Sequence, residues 1–227
     1  MSDPIGPDKL SFLDGYLFRT MVQILRAEGE EASGFYDYYG VRVEQAGSAL
    51  SHYDRMLFDY VRERFDRHDR RILHAGTGLG TLPSALAMAG YSVAGVEQDG
   101  PRFRSATRIH AALAEAWPAV TEKYELVHGE YPTVMAGTPW LAPETVLIFT
   151  NCGASWPDDL FRRVLASLRS CGDVILDARL FGEVRNTPEE RQELLARIEA
   201  EGLQATAIGQ SPPDAFYHHL RPQLGRQ

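Results

Sequence analysis

The stretch from Ile72 to Asp99, ILHAGTGLGTLPSALAMAGYSVAGVEQD, constrains this chain more than any other. An apolar run, RILHA, leads straight into Gly76, Gly78 and Gly80, and an amphipathic run, TLPSALAMAG, follows. A strand that turns at once into a helix needs residues that accept positive φ, which glycine does at no Cβ cost. A second β-like run, YSVAGV, then reaches Glu97, 17 residues beyond Gly80. Strand, glycine turn, helix, strand and acid in that order predict a βαβ unit of a parallel sheet. The helix dipole points at whatever the loop holds, and a carboxylate ending the second strand can accept from both hydroxyls of a ribose. An adenosine-type ligand is indicated, although the glycines alone also suit a tight turn and Glu97 an exposed position. The spacing, G-x-G-x-G, is one residue shorter than the G-x-G-x-x-G of nicotinamide dinucleotide sites.

The β-like and helical patterns go on alternating after this unit. DGPRFRSATRIHAALAEAW reads as a helix ended before Pro118, YELVH as the third strand, and TVLIFT as a fourth strand buried on both faces. Leu160, Phe161, Val164, Leu165 and Leu168 mark a helix face, DVILDA a fifth strand, and Thr187 to Glu190 the capped start of a last helix closed by Gly202. LQATAI and AFYHHL follow with no helix between them, so they can pair as a hairpin. Upstream, residues 1–9 read as a loose tail, Leu10, Leu13, Leu17, Met21 and Leu25 as one amphipathic helix, and Ala49 to Val61 as another. The expected fold is α/β, a Rossmann-like doubly wound seven-stranded mostly parallel sheet over residues 68–227, with an N-terminal helical cap or lid over residues 1–67.

Composition narrows the partners. The chain has 227 residues, 44% hydrophobic and 24% charged, close to globular averages, so most of it should bury a core. A net charge of −8 repels phosphate backbones, and the one cluster of bases, Arg62, Arg64, Arg67, Arg70 and Arg71, reads as a solvated helix face. Nucleic acid is not expected as a partner. Cys152 and Cys171 are too few for a disulfide framework or a zinc site. No apolar run reaches the roughly 18 residues a membrane span needs, and the first residues lack the features of a secretion signal, so a cytoplasmic protein is expected.

ILHAGTGLG and Glu97 resemble the first motif and the ribose-binding acid of class I S-adenosylmethionine-dependent methyltransferases, and the order of elements over residues 71–220 is similar to that family's sheet. The resemblance implies S-adenosylmethionine as cofactor, with Gly76, Thr77, Gly78 and Gly80 near its methionine part and Glu97 on the ribose. It puts Gln98 beside the adenine, and Gly129 with Glu130 in VHGEYP at the adenine amino group, where Glu130 also reads as a surface carboxylate. His74 stands where many members carry an acid that holds the cofactor's ammonium. A neutral imidazole can accept from an ammonium and an imidazolium repels it, so binding should weaken below about pH 6.5 if His74 keeps its ordinary pKa; a core histidine without ligand role is the other reading.

The reacting end is less legible. Asn151, after the fourth strand, is the candidate to hold a substrate or else caps the strand, and Cys152, Gly153 and Ala154 depart from the Asn-or-Asp, Pro-Pro-aromatic pattern of some amine methyltransferases. Phe35, Tyr36, Tyr38 and Tyr39 cluster, and Tyr36 and Tyr39 are candidates for a lid whose ring faces attract the sulfonium; such a cluster also staples a helix to a core. Cys152 has no basic partner in the sequence, His218 and His219 alternate faces and read as structural, and Asp177 with Arg179 suits a surface ion pair. No metal is expected, since Asn151 replaces the acid a metal-dependent site would need. The reading is methyl transfer to a small-molecule acceptor, by a monomer or a homodimer. Attack on the cofactor's aminobutyrate arm, releasing methylthioadenosine, and a non-catalytic cofactor-binding partner remain as alternatives.

Overall fold

The computed structural model describes residues 7–28, 47–150, 158–178, 187–209 and 216–222. Its strands are β1 (Arg71–Ala75), β2 (Ser92–Glu97), β3 (Tyr124–His128), β4 (Thr145–Phe149), β5 (Asp173–Asp177), β6 (Leu203–Ile208) and β7 (Tyr217–Pro222). They form a seven-stranded sheet in the order β3-β2-β1-β4-β5-β7-β6. β2 with β3, β1 with β4 and β4 with β5 pair parallel, whereas β7 pairs antiparallel with both β5 and β6. The helices are α1 (Pro7–Glu28), α2 (His52–Arg64), α3 (Thr81–Met88), α4 (Gly100–Ala116), α5 (Pro118–Thr121), α6 (Asp158–Leu168) and α7 (Pro188–Ala200). The expected α/β class and mostly parallel seven-stranded sheet are what the chain forms. The chain divides into two compact units, Met1–Asp69 with Thr77–Gly129 and Arg70–Gly76 with Glu130–Gln227.

In the first unit, the apolar stripe of α1 is buried as its spacing predicts, with Leu13, Leu17, Met21 and Leu25 at most 2% exposed. The helix packs on α3 and α4. Tyr16 donates to the Ala112 carbonyl at 3.0 Å, and Phe12 and Tyr16 meet the Trp117 ring edge-on. Pro7, expected in a loose tail, instead opens α1, where a residue without an N–H loses no hydrogen bond. The second helix begins at His52, after Ala49 and Leu50, because Ser51 and Asp54 close a capping box at 3.0 and 2.9 Å. The carboxylate of Asp14, 7% exposed, accepts from Leu50 N–H at 2.8 Å and from Arg55 at 2.6 Å, tying the entry of α2 to α1.

In the second unit, β1, β4 and β5 are apolar over residues 72–73, 146–149 and 174–176, and are buried along nearly all their length. Val164 and Leu168 of α6 are fully buried, and α7 packs on β6 from a start capped by Thr187 and Glu190. Arg70 and Arg71, expected on a solvated face with Arg62 and Arg64, make ion pairs: Arg70 reaches Asp173 at 3.2 Å and Arg71 reaches Glu144 at 2.5 Å. The helix ends at Arg64, and Arg70 and Arg71 lie at the strand that follows.

Candidate functional site

The glycine loop lies between β1 and α3, with Gly76, Gly78 and Gly80 at φ +75°, +59° and +77°. Within the first unit, Thr77 N–H donates to the Val96 carbonyl at 3.0 Å and Gly80 N–H to the Thr77 carbonyl at 3.0 Å, which folds the loop back over the end of β2. Glu97, 4% exposed, locks it: one carboxylate oxygen accepts from Gly78 N–H at 2.8 Å and the other from Asp99 N–H at 2.8 Å. Each oxygen keeps a second lone pair, so the carboxylate is held in place and can still accept from two hydroxyls. A Cβ built on Gly78 meets nothing within 4 Å, whereas one on Gly80 falls 2.7 Å from the Tyr124 hydroxyl. The two glycines therefore serve different ends. Gly78 leaves open space above the loop; Gly80 gives way to Tyr124.

Beside Glu97, the ends of β2 and β3 gather further groups. Gly129 N–H donates to the Glu97 carbonyl at 3.0 Å, and the His128 ring nitrogen Nε2 lies 3.3 Å from the Gln98 carbonyl. Phe103 of α4 stacks on His128 with centroids 4.5 Å apart and planes 19° from parallel. Glu97, Gln98 and Gly129 are thus neighbours. Sequence reasoning missed Phe103 and His128; the histidine's place as last residue of YELVH was the available signal.

In the second unit, strand order reverses between β1 and β4, the switch point outside whose carboxyl ends ligands of open α/β sheets bind. His74 and Thr150 stand there, both buried, with His74 Nε2 2.6 Å from the Thr150 hydroxyl. His74 Nδ1 is buried and has no hydrogen-bond partner among the described residues. Burial pushes the His74 pKa down to about 3. The expected loss of cofactor affinity below pH 6.5 is therefore corrected: this imidazole stays neutral across the physiological range, with one nitrogen as donor and the other as acceptor. Glu130 is engaged by its own unit, at 3.6 Å from Arg163 and accepting from the Thr133 hydroxyl at 3.3 Å.

Tyr36, Tyr39 and Asn151 lie outside the described residues, as do Phe35, Tyr38, Cys152 and Arg179. Burial pushes the Cys171 thiol up to about 12, which leaves it inert as a nucleophile. His219 is buried and lies 2.8 Å from the Asp173 carboxylate, while His218 takes the opposite face. Among the described residues no group of three or more His, Cys, Asp and Glu side chains is arranged to hold a metal ion, and no helix is long and apolar enough to cross a membrane.

No protein-family model matches the sequence, and no curated protein matches it. Solved structures do match in fold. The O-methyltransferase TomG from Streptomyces achromogenes, involved in tomaymycin synthesis and solved in complex with SAM, is 20% identical with a TM-score of 0.55, over 90% of this chain and 89% of that one. The methyltransferase CcbJ from Streptomyces caelestis is 16% identical with a TM-score of 0.54, over 74% of this chain and 94% of that one. The glycopeptide N-methyltransferase MtfA, complexed with sinefungin, is 13% identical with a TM-score of 0.51, over 75% and 86%. With this sheet order, the glycine loop after β1 and the acid ending β2, the chain has the fold of the class I S-adenosylmethionine-dependent methyltransferases.

Proposed function

We propose that the chain is an S-adenosylmethionine-dependent methyltransferase acting on a small-molecule acceptor. The observation that carries this reading is the buried Glu97 carboxylate, fixed by Gly78 and Asp99 N–H groups beside a loop with open space over Gly78. That arrangement suits a ribose diol approaching backbone. TomG, with the same fold, is described in complex with SAM, and TomG and MtfA are named for methylation of O and N atoms.

When bound, the cofactor supplies a methyl group on a sulfonium, open to in-line attack by an acceptor nucleophile. The chain's own part is binding and alignment, the effect that lowers the barrier of such a displacement. Glu97 accepts from the ribose, Thr77 and Gly78 offer backbone at the loop, Gly76 and His74 precede them in the chain, and Gln98 and Gly129 border the base. Glu130 takes part only by leaving Arg163. Asn151 would be the residue to hold the acceptor, and Tyr36 and Tyr39 the rings whose chemistry would attract the sulfonium. The acidic chain favours a metabolite over nucleic acid as acceptor.

A second reading is favoured by His74. A neutral imidazole holds an ammonium less firmly than a carboxylate does, which suits an enzyme that leaves the aminobutyrate arm free to be attacked, with methylthioadenosine as product. Incubating the protein with S-adenosylmethionine and no acceptor, then separating nucleosides by mass spectrometry, decides between them. Intact bound cofactor keeps the methyl-donor reading; accumulating methylthioadenosine replaces it. Gly78→Val should reduce binding below calorimetric detection, and a variant that still binds removes the loop from the site.

A further inference from the structure

Tyr124, the first residue of β3, is 3% exposed, and its ring runs beneath the glycine loop. Its hydroxyl lies 2.7 Å from where a Cβ on residue 80 would be and 2.9 Å from where one on residue 95 would be. The Thr77 hydroxyl is also 2.9 Å from that second position, so two side-chain oxygens from different elements converge over Gly95 of β2. Both oxygens are buried, and the side-chain partner in reach of the phenol among the described residues is the Thr77 hydroxyl. Burial pushes the phenol up, the hydrogen bond with Thr77 offsets only part of this and the Glu97 carboxylate adds to the rise, so it stays protonated. Buried hydroxyls placed this way call for an explanation. Packing alone would be served by phenylalanine, which has no polar atom to strand.

We propose that Tyr124 is a positioning residue that sets the height of the glycine loop. The loop is held at two points. From above the end of β2, Glu97 draws Gly78 N–H down at 2.8 Å. From beneath, the phenol oxygen stops Gly80, and through contact with Thr77 it fixes the residue whose N–H closes on Val96. Remove the oxygen and the loop can settle, which misaligns Gly78 N–H with Glu97. Glycine at 80 and 95 follows from this device, since a methyl group at either place would displace the phenol. The effect on S-adenosylmethionine rests on the function proposed above; the effect on the loop does not.

The test uses the ligand-free full chain and two substitutions, Tyr124→Phe and Gly95→Ala. Amide hydrogen exchange at Gly78 and Gly80 reads the loop, thermal melting reads the fold, and calorimetry with S-adenosylhomocysteine reads the site. Tyr124→Phe should speed exchange at Gly78 by about tenfold, the size of one lost hydrogen bond, with β4 and β5 amides unchanged and the melting point within a few degrees. Gly95→Ala should do the same, and the double variant should be less impaired than the two effects summed, because the smaller ring edge makes room for the methyl group. Weaker nucleoside binding in step with faster exchange extends the role to the site. Unchanged exchange at Gly78 in Tyr124→Phe overturns the proposal whatever the binding shows. Faster exchange in a protein that never binds the nucleoside keeps the strut and removes the cofactor reading. If Gly95→Ala does not fold, Tyr124→Phe decides alone.

Discussion

Two buried histidines share one rung of the sheet. His74 pairs with Ile148, Ile148 with Ile175 and Ile175 with His219, so both rings lie on the same face, and they are 3% and 4% exposed. Their partners differ. His219 lies 2.8 Å from Asp173, whose carboxylate also takes Arg221 at 2.9 Å and Arg70 at 3.2 Å. His74 has a hydroxyl on one nitrogen and no partner among the described residues on the other. Burial raises the Asp173 pKa, but bonds from His219 and Arg221 and the charge of Arg70 outweigh it and hold the carboxyl below its usual value. The first histidine belongs to a charge network that ties β7 to β5; the second is kept neutral at the switch point. A histidine satisfied by a carboxylate is accounted for by structure, and one left half-satisfied calls for a further explanation.

The largest expected effect breaks the structural side of the comparison. Asp173→Ala should destabilise the fold by about 3 kcal/mol in chemical denaturation, because it strands His219 and the arginines that converge on the carboxylate. Asp173→Asn should lose the wild type's acid sensitivity near pH 4 and below. The sign follows from a folded-state pKa lower than the unfolded one: the stabilisation is complete above the unfolded value and lost as pH falls through the folded one. A smaller effect sharpens the other side. His74 titrates near 6.5 when unfolded and near 3 when folded, so stability should fall by about 2 kcal/mol between pH 6.5 and 5, and His74→Gln should flatten that slope. Denaturation midpoints across the range check it. Over the same range, S-adenosylhomocysteine affinity should stay flat in the wild type, since the ring does not charge; a fall centred near pH 6.5 would mean the ring is not shielded. The smallest is Thr150→Val, which frees His74 Nε2 and should cost about 1 kcal/mol, seen as a lower melting point together with weaker nucleoside binding.

Much of the fold was legible because short β-like runs alternate with helical patterns and are bounded by turn residues. RILHA, YELVH and LQATAI coincide with β1, β3 and β6 to the residue. Boundaries set by caps were harder: Ser51 with Asp54 was readable as a capping pair and was passed over, while the short helix α5 is separated from α4 by the non-helical Trp117. At the site, the order of glycine loop and Glu97 could be read, because local spacing carries it. The neutrality of His74 could not, since it depends on burial, and neither could the meeting of Tyr124 with Gly80 and Gly95, which lie 44 and 29 residues away in sequence. Asp173 and His219 are likewise joined only by the pairing of β5 with β7. Contacts of that kind leave no periodic trace.

The place of β7 has a bearing on how this chain is made. It is the last strand described, yet it lies inside the sheet, with β5 on one side and β6 on the other. Until it emerges from the ribosome, β5 has an open edge and β6 has nothing to pair with. An exposed, apolar edge such as β5 is a template for other strands. Translation therefore passes through an interval in which β1 to β6 have emerged but the sheet lacks the strand between β5 and β6, and in that interval the open edges are most exposed to wrong pairing.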